Sequence, residues 1–156
     1  MLVRPAARTD LPALGRLGAL LMRVHHDFDR QRFLAPGDDP ARGYAWFLGE
    51  QMSHPDSVVF VAEQEGRVIG YVYAGVEPLS WKELRDEAGF VHDLVVDPEA
   101  RGAGAGSALL EAAIDWLRAR GMPRVVLWTA ERNAGAQRLF ERSRFRRTMI
   151  EMTREL

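Results

Sequence analysis

Apolar positions along the chain change period several times, and each change marks a new element. Leu2-Val3-Arg4 reads as a short strand stopped by Pro5. Thr9 or Asp10 is placed to cap a helix with Pro12 in its first turn. Leu11, Leu14, Leu17, Leu21 and Val24 recur at helical spacing and predict an amphipathic helix. The polar and aromatic run from His25 to Phe33 breaks that stripe and ends at Pro36-Gly37. Asp39-Pro40 opens a second helix with Tyr44, Phe47 or Leu48, and Met52 on one face. Ser57 to Gln64 and Arg67 to Val76 read as strands joined at Glu65-Gly66, a hairpin signal.

Ser80 to Glu87 carries no clear pattern, and Phe90 to Val96 is a third long strand stopped by Asp97-Pro98. After a glycine-rich turn, Leu109, Leu110, Ala113, Ile114 and Leu117 form a helical stripe ended by Gly121 and Pro123. Val125 to Thr129 is a short apolar strand, and Asn133 to Ser143 a helix with Ala136, Leu139 and Phe140 inward. Phe145 to Glu155 predicts a last strand. The order βααβββαβαβ predicts a mixed α/β fold, an antiparallel front followed by a strand-turn-helix-strand crossover. No repeat or long linker divides it, so residues 1–156 read as a single domain.

The turn Arg101-Gly102-Ala103-Gly104-Ala105-Gly106-Ser107 lies between a strand and a helix. Residues without Cβ let the backbone approach a ligand, and the first N–H groups of a helix lie unpaired at its positive end. An anion, phosphate above all, is the natural guest, and Arg101 can add a full charge. A Walker turn is excluded because no Lys precedes Ser107, and the glycine spacing is not that of a dinucleotide fingerprint. The glycines alone would equally suit a plain flexible turn.

The longer string Val96-x-Pro98-x-x-Arg101-Gly102-x-Gly104-x-Gly106-x-x-Leu109-Leu110 resembles the acyl-coenzyme A signature of the GNAT superfamily of N-acetyltransferases, R/Q-x-x-G-x-G/A. Downstream, Asn133-x-x-Ala136-x-x-x-Phe140-x-x-x-Arg144-Phe145 is similar to that family's second motif. The resemblance implies a mostly antiparallel sheet with a V-shaped split holding acetyl-coenzyme A. In that arrangement, backbone N–H groups of Arg101, Gly102, Ala103, Gly104, Ala105, Gly106 and Ser107 would hold the pyrophosphate. Leu94, Val95 and Val96 would pair with the pantetheine arm like an added strand. Asn133 would reach that arm from the other side, Ala136 and Phe140 would line its path, and Arg142 would meet the outer phosphate.

The resemblance also implies direct attack of an amine on the thioester, with an oxyanion contact from a backbone N–H near Val95. An alkyl ammonium with a pKa near ~10 needs a base at neutral pH. His92, with imidazole's ordinary pKa near ~6.5, is the candidate base, though a hydrogen-bonding role within the sheet suits it as well. Asp93 would position water or serve the structure, and Glu131 is a further base candidate. Two positions depart from the family: Phe140 replaces the Tyr that donates to the leaving thiolate, and Arg144 replaces a Gly. Tyr73 or water would then be the donor. His26, Asp27 and Phe33, between the first two helices, and Trp81 are candidates for the acceptor pocket. A solvated loop packed on its aromatic residues would account for the same stretch.

Charge and composition narrow the partners. A formal net charge of −1 argues against a nucleic-acid or anionic-membrane partner, and no apolar run reaches membrane length. The absence of cysteine removes disulfides, a thiol nucleophile and a cysteine-held metal. His25, His26 and Asp27 lack a third or fourth partner for a metal site, so none is expected. No secretory signal is visible, and the expectation is a cytoplasmic protein acting on a small-molecule or peptide amine. A homodimer is compatible with all of this. The rival reading is a catalytically silent acyl-coenzyme A-binding module.

Overall fold

The computed structural model describes residues 1–156. Strand β1 (Leu2–Pro5) leads through a short 3-10 turn into α1 (Leu11–Phe28), followed by α2 (Pro40–Met52). Strands β2 (Ser57–Gln64), β3 (Arg67–Glu77) and β4 (Ala88–Val96) come next, then α3 (Ala105–Ala119), β5 (Val125–Leu127) and α4 (Ala134–Arg142). One sheet results, in the order β1-β2-β3-β4-β5, antiparallel except for the parallel β4–β5 pair. At the β2–β3 hairpin, Glu65 (φ 52°) and Gly66 (φ 75°) are both left-handed, as a two-residue turn between twisted strands requires.

Helices cover both faces. On one, Leu14 and Leu17 of α1 and Leu48 of α2 bury against Val59, Val61 and Tyr71. On the other, Leu109, Leu110, Ala113 and Leu117 of α3 bury against Val72, Ala74 and Val91, joined by Phe140 of α4. No helix is long and apolar enough to cross a membrane.

Helix α1 runs further than the apolar stripe predicted. His25 and His26 are helical, and the His25 ring nitrogen Nδ1 lies 2.9 Å from the Leu21 carbonyl oxygen. No breaker intervenes before Asp29, where the backbone becomes extended. Asn133, expected inside the last helix, caps it instead, its side chain accepting the Ala136 N–H.

The predicted last strand from Phe145 to Glu155 does not form: no regular element follows α4. Met149, Ile150 and Met152 are at least 81% exposed, so these apolar side chains find no face to cover. Polar contacts hold the tail instead, Arg32 to Glu151 and Arg147 to Gln137. The neighbouring edge strand β5 offers only Val125–Leu127 for pairing, too short a ladder to hold a strand of that length.

Helices α3 and α4 end in the same way but with different residues. After α3, the Met122 N–H donates to Leu117 O and the Gly121 N–H to Arg118 O, with Gly121 left-handed at φ 77°. After α4, Phe145 N–H donates to Phe140 O and Arg144 N–H to Glu141 O, with Arg144 at φ 66°. The Phe140 and Phe145 rings, with centroids 5.9 Å apart, close that end. Arg144 thus takes the left-handed geometry that a glycine adopts without strain, at a cost of about 1 kcal/mol. Arg144→Gly is therefore expected to raise the melting temperature by about 2–4 °C in calorimetry; a fall would show that the arginine side chain more than offsets its backbone strain.

Candidate active site

Three features of β4 build the site. First, its register against β3 slips between Tyr73 and Ala74, so Asp93 pairs with Tyr73 and Val91 with Ala74, leaving His92 as the extra residue of a bulge. Before the bulge, Phe90 and His92 face α1 and α2 while Val91 packs toward α3. After it, Asp93 and Val95 face α1 and α2 while Leu94 and Val96 pack toward α3. An ordinary strand would put neighbouring side chains on opposite faces. The bulge puts His92 and Asp93 on the same one.

Second, β4 and β5 part company. Their ladder ends at Val91 and Leu127, while β4 continues to Val96 paired with β3 alone, its other edge free. A cavity of about 330 Å³ opens there. Val91, His92, Asp93 and Leu94 line one wall, Leu127, Trp128 and Thr129 another, and Asn133, Ala136 and Phe140 a third. Leu21, Met22 and His25 of α1, Phe33 and Leu34 of the following loop, and Tyr44 of α2 complete it.

Third, β4 delivers the chain into the glycine turn. The buried Asp97 carboxylate anchors the entrance, accepting from Arg16 and Arg67 at 2.9 Å each and from the Glu99 N–H. Gly102 (φ 86°) and Gly104 (φ 81°) are left-handed with open space beside them, and Gly104 is the N-cap of α3. The backbone N–H groups from Gly102 to Ser107 donate to no acceptor in the protein. Such a row of free donors at the positive end of a helix fits the phosphates of a nucleotide cofactor.

His92 is held from three sides. Its ring stacks on Tyr73 and Phe90, with centroids 4.7 and 5.6 Å away. Its Nε2 lies 3.0 Å from Glu77 Oε1. A carboxylate accepts, so Nε2 carries the proton of the neutral ring and Nδ1 keeps the lone pair. Asp93 is set between two tyrosines: the hydroxyls of Tyr44 and Tyr71 donate to its Oδ2 at 2.7 and 3.1 Å. Burial pushes the Asp93 carboxyl above its ordinary 3.8, more than those two hydrogen bonds pull it down. Burial likewise pushes the Tyr44 and Tyr71 hydroxyls up, and the nearby Asp93 charge adds to it.

Tyr44 reaches Asp93 because α1 and α2 touch at glycine. A Cβ on Gly18 would stand 2.0 Å from the Tyr44 ring, so only glycine lets that ring lie against α1.

The sequence-predicted residues divide between the cavity and its surroundings. His92, Asp93, Leu94, Asn133, Ala136, Phe140 and Phe33 line it. Val95 is buried toward α1 and α2 and Val96 packs toward α3, so only their backbone can face the split. Arg101 and Arg142 are exposed at the glycine turn and at the end of α4. His26 stands outside with Nδ1 3.3 Å from Phe33 O, and Asp27 is on the outer surface, 3.9 Å from Arg30. Trp81, 84% exposed, sits on the β3–β4 loop away from the cavity. Glu131 is exposed and also outside it, and the Tyr73 hydroxyl is occupied in donating to Gln51.

Tyr44, Leu34 and Trp128 line the cavity and Glu77 backs it through His92, and none of these four stands out in the sequence as a site candidate; His25, part of the run from His25 to Phe33, lines it too. Tyr44 was indistinguishable from the core stripe of α2, and Glu77 needs the β3–β4 pairing to meet His92.

The profile of the acetyltransferase (GNAT) family matches residues 21–145. Over 145 residues the chain is 30% identical to the uncharacterized N-acetyltransferase YhfO of Bacillus subtilis, covering 92% of this chain and 88% of YhfO. It is 35% identical over 121 residues to a mycothiol acetyltransferase of Thermomonospora curvata, covering 74% of this chain. It spans 38% of that relative's own length. A variant of the BH1408 protein of Bacillus halodurans shares the fold with a TM-score of 0.83 at 23% identity, covering 100% of this chain and 99% of the other. With an open β4–β5 split, a row of free N–H groups at a helix start and this profile over most of its length, the chain belongs to the GNAT acetyltransferase family.

The raised carboxyl of Asp93 has a consequence for stability. Between its ordinary 3.8 and its higher folded value, the native state binds more protons than the unfolded chain. Stability from this group is therefore full at acid pH and is lost as pH rises through that window. Asp93→Asn keeps an acceptor for both tyrosines and removes the buried charge. Its melting temperature is expected to match or exceed the parent's at pH 8, with the difference shrinking below pH ~4. A less stable variant at pH 8 would mean that the ionised form is the one the fold prefers.

Proposed function

We infer that the protein transfers an acetyl group from acetyl-coenzyme A directly to a primary amine of a small molecule or peptide. The observation that carries this reading is the row of free N–H donors from Gly102 to Ser107, opening beside an unpaired β4 edge and a cavity that holds His92 and Asp93. The donors suit a pyrophosphate, the open edge a pantetheine arm, and the cavity an amine. Relatives named N-acetyltransferases support the same chemistry.

Acetyl-coenzyme A supplies an acyl group already activated as a thioester. The chain's own work is then to hold it, to strip a proton from the incoming ammonium and to orient the amine. Gly102 to Ser107 bind by their backbone, with Arg101 adding charge, and Asn133 and Ala136 bound the arm from α4. His92 accepts the proton at Nδ1, while Glu77 fixes the ring through Nε2 and stabilises the imidazolium. The amine nitrogen forms its bond to the acyl carbon and sheds its second proton to solvent, the carbon–sulfur bond breaks, and the products are the amide and free coenzyme A thiol. With Phe140 packed on Phe145 and carrying no hydroxyl, a thiol of pKa near ~8.5 leaves as a fair leaving group and takes its proton from solvent or the imidazolium. A silent acyl-coenzyme A-binding module is the second reading, and the missing hydroxyl at Phe140 is its support.

Thiol release with acetyl-coenzyme A and an amine panel separates the two. His92→Gln is expected to lower kcat and kcat/KM together by about 10²–10⁴-fold while acetyl-coenzyme A affinity stays put. Unchanged turnover would take the role from His92. Gly104→Ala places a Cβ in the open cradle at a backbone cost of about 1 kcal/mol. Calorimetric titration should show coenzyme A affinity falling about tenfold or more, and equal affinities would remove the cofactor assignment.

A further inference from the structure

We propose that the acceptor is a primary monoamine with an apolar body, its ammonium seated on Oδ1 of Asp93 and its body lying in a trough walled by Met22, Leu34 and Tyr44. The proposal rests on the acyl-transfer reading above and specifies its acceptor.

Asp93 is prepared on one side only. Tyr44 and Tyr71 both donate to Oδ2, and no protein group donates to Oδ1. No buried side-chain oxygen or nitrogen in the chain lacks a partner, so the unpaired Oδ1 must still be reached from the cavity that Asp93 lines. A carboxylate oxygen with this geometry takes a charged N–H donor well. Asp93 is also the single carboxylate on the cavity wall.

Apart from His25, His92, Thr129 and Asn133, the other side chains lining the cavity are apolar or aromatic, and this lining continues outward. A second trough of about 280 Å³ shares Met22, Leu34 and Tyr44 with the cavity and extends it toward Pro36, Pro40 and Phe47. Leu34 is 76% exposed and Trp128 is 72% exposed, large apolar side chains left wet at the cavity. A ligand body that covers them gains the burial that the fold leaves unmade.

Second charges are poorly served. Asp39, the one carboxylate of the outer trough, accepts the Arg42 N–H at the start of α2, where the helix's positive end already balances it. Asp27 faces outward with Arg30, and Asp29 caps the Gln31 and Arg32 N–H groups. A polyamine would find one seat and then an apolar wall.

The test uses the full chain with saturating acetyl-coenzyme A and a series from propylamine to hexylamine, read as thiol release. Each methylene buried in the trough should raise kcat/KM about three- to fourfold until the trough is full. Hexylamine should exceed 1,6-diaminohexane and spermidine by roughly tenfold or more. Leu34→Glu, at an exposed position, should flatten the chain-length slope while coenzyme A binding is unchanged. Asp93→Asn should weaken hexylamine binding to the protein saturated with free coenzyme A by roughly tenfold or more, measured by calorimetry. A flat slope in the parent, or a preference for the diamine, overturns the acceptor class while leaving the transfer reading intact. Hexylamine bound as described but never acetylated overturns the transfer reading and leaves the seat standing. No hexylamine binding by calorimetry overturns the seat.

Discussion

The slip of β4 against β3 at His92 is the constraint on which the site depends. One inserted residue inverts the alternation of the strand, so the half before it and the half after it bury opposite sets of positions. Val91 and Leu94 both serve the α3 face although they stand three apart, and His92 and Asp93 share the other face although they are neighbours. Without the slip, one of the two side chains would be turned toward α3. Beyond the bulge the ladder to β5 has already ended, so the same strand that carries the polar pair also presents a free edge.

Polar groups then fix the geometry that the bulge allows. Tyr73 and Phe90 hold the His92 ring between them, and Glu77 fixes its tautomer from the far end of β3. Tyr44 and Tyr71 hold Asp93 from a helix and from a strand, which ties α2 to the sheet at the cavity floor. That tie requires the close approach of α1 and α2 at Gly18. A packing detail remote from any motif therefore decides where a carboxylate oxygen points. Both tyrosines donate to the same oxygen, Oδ2, so the two carboxylate oxygens of Asp93 are held differently.

The cradle and the cavity answer to different physics. At the glycine turn the backbone N–H groups are the free donors, so a short string of glycines and a helix start contain nearly all the information. The cavity is assembled from α1, α2 and the loop between them together with β4, Trp128 and α4, which lie far apart in sequence. Charges that look available along the chain are spent locally: Asp27 beside Arg30, Asp29 on the Gln31 and Arg32 N–H groups.

Residue order alone determined the class of fold, the strands and helices over most of their length, the hairpin at Glu65-Gly66 and the glycine turn at the start of α3. Each is a local matter of period, turn chemistry or helix ends, written in consecutive residues. Only the tertiary structure decided that His92 and Asp93 share a face, because a bulge is a relation between two strands. Tyr44 and Glu77 join the site only through partners 49 and 15 positions away along the chain, Asp93 and His92 respectively. The stretch from Phe145 to Glu155 shows the same limit from the other side. Its apolar residues read as a strand, but a strand exists only where a neighbouring edge supplies the ladder, and the three residues of β5 are too few.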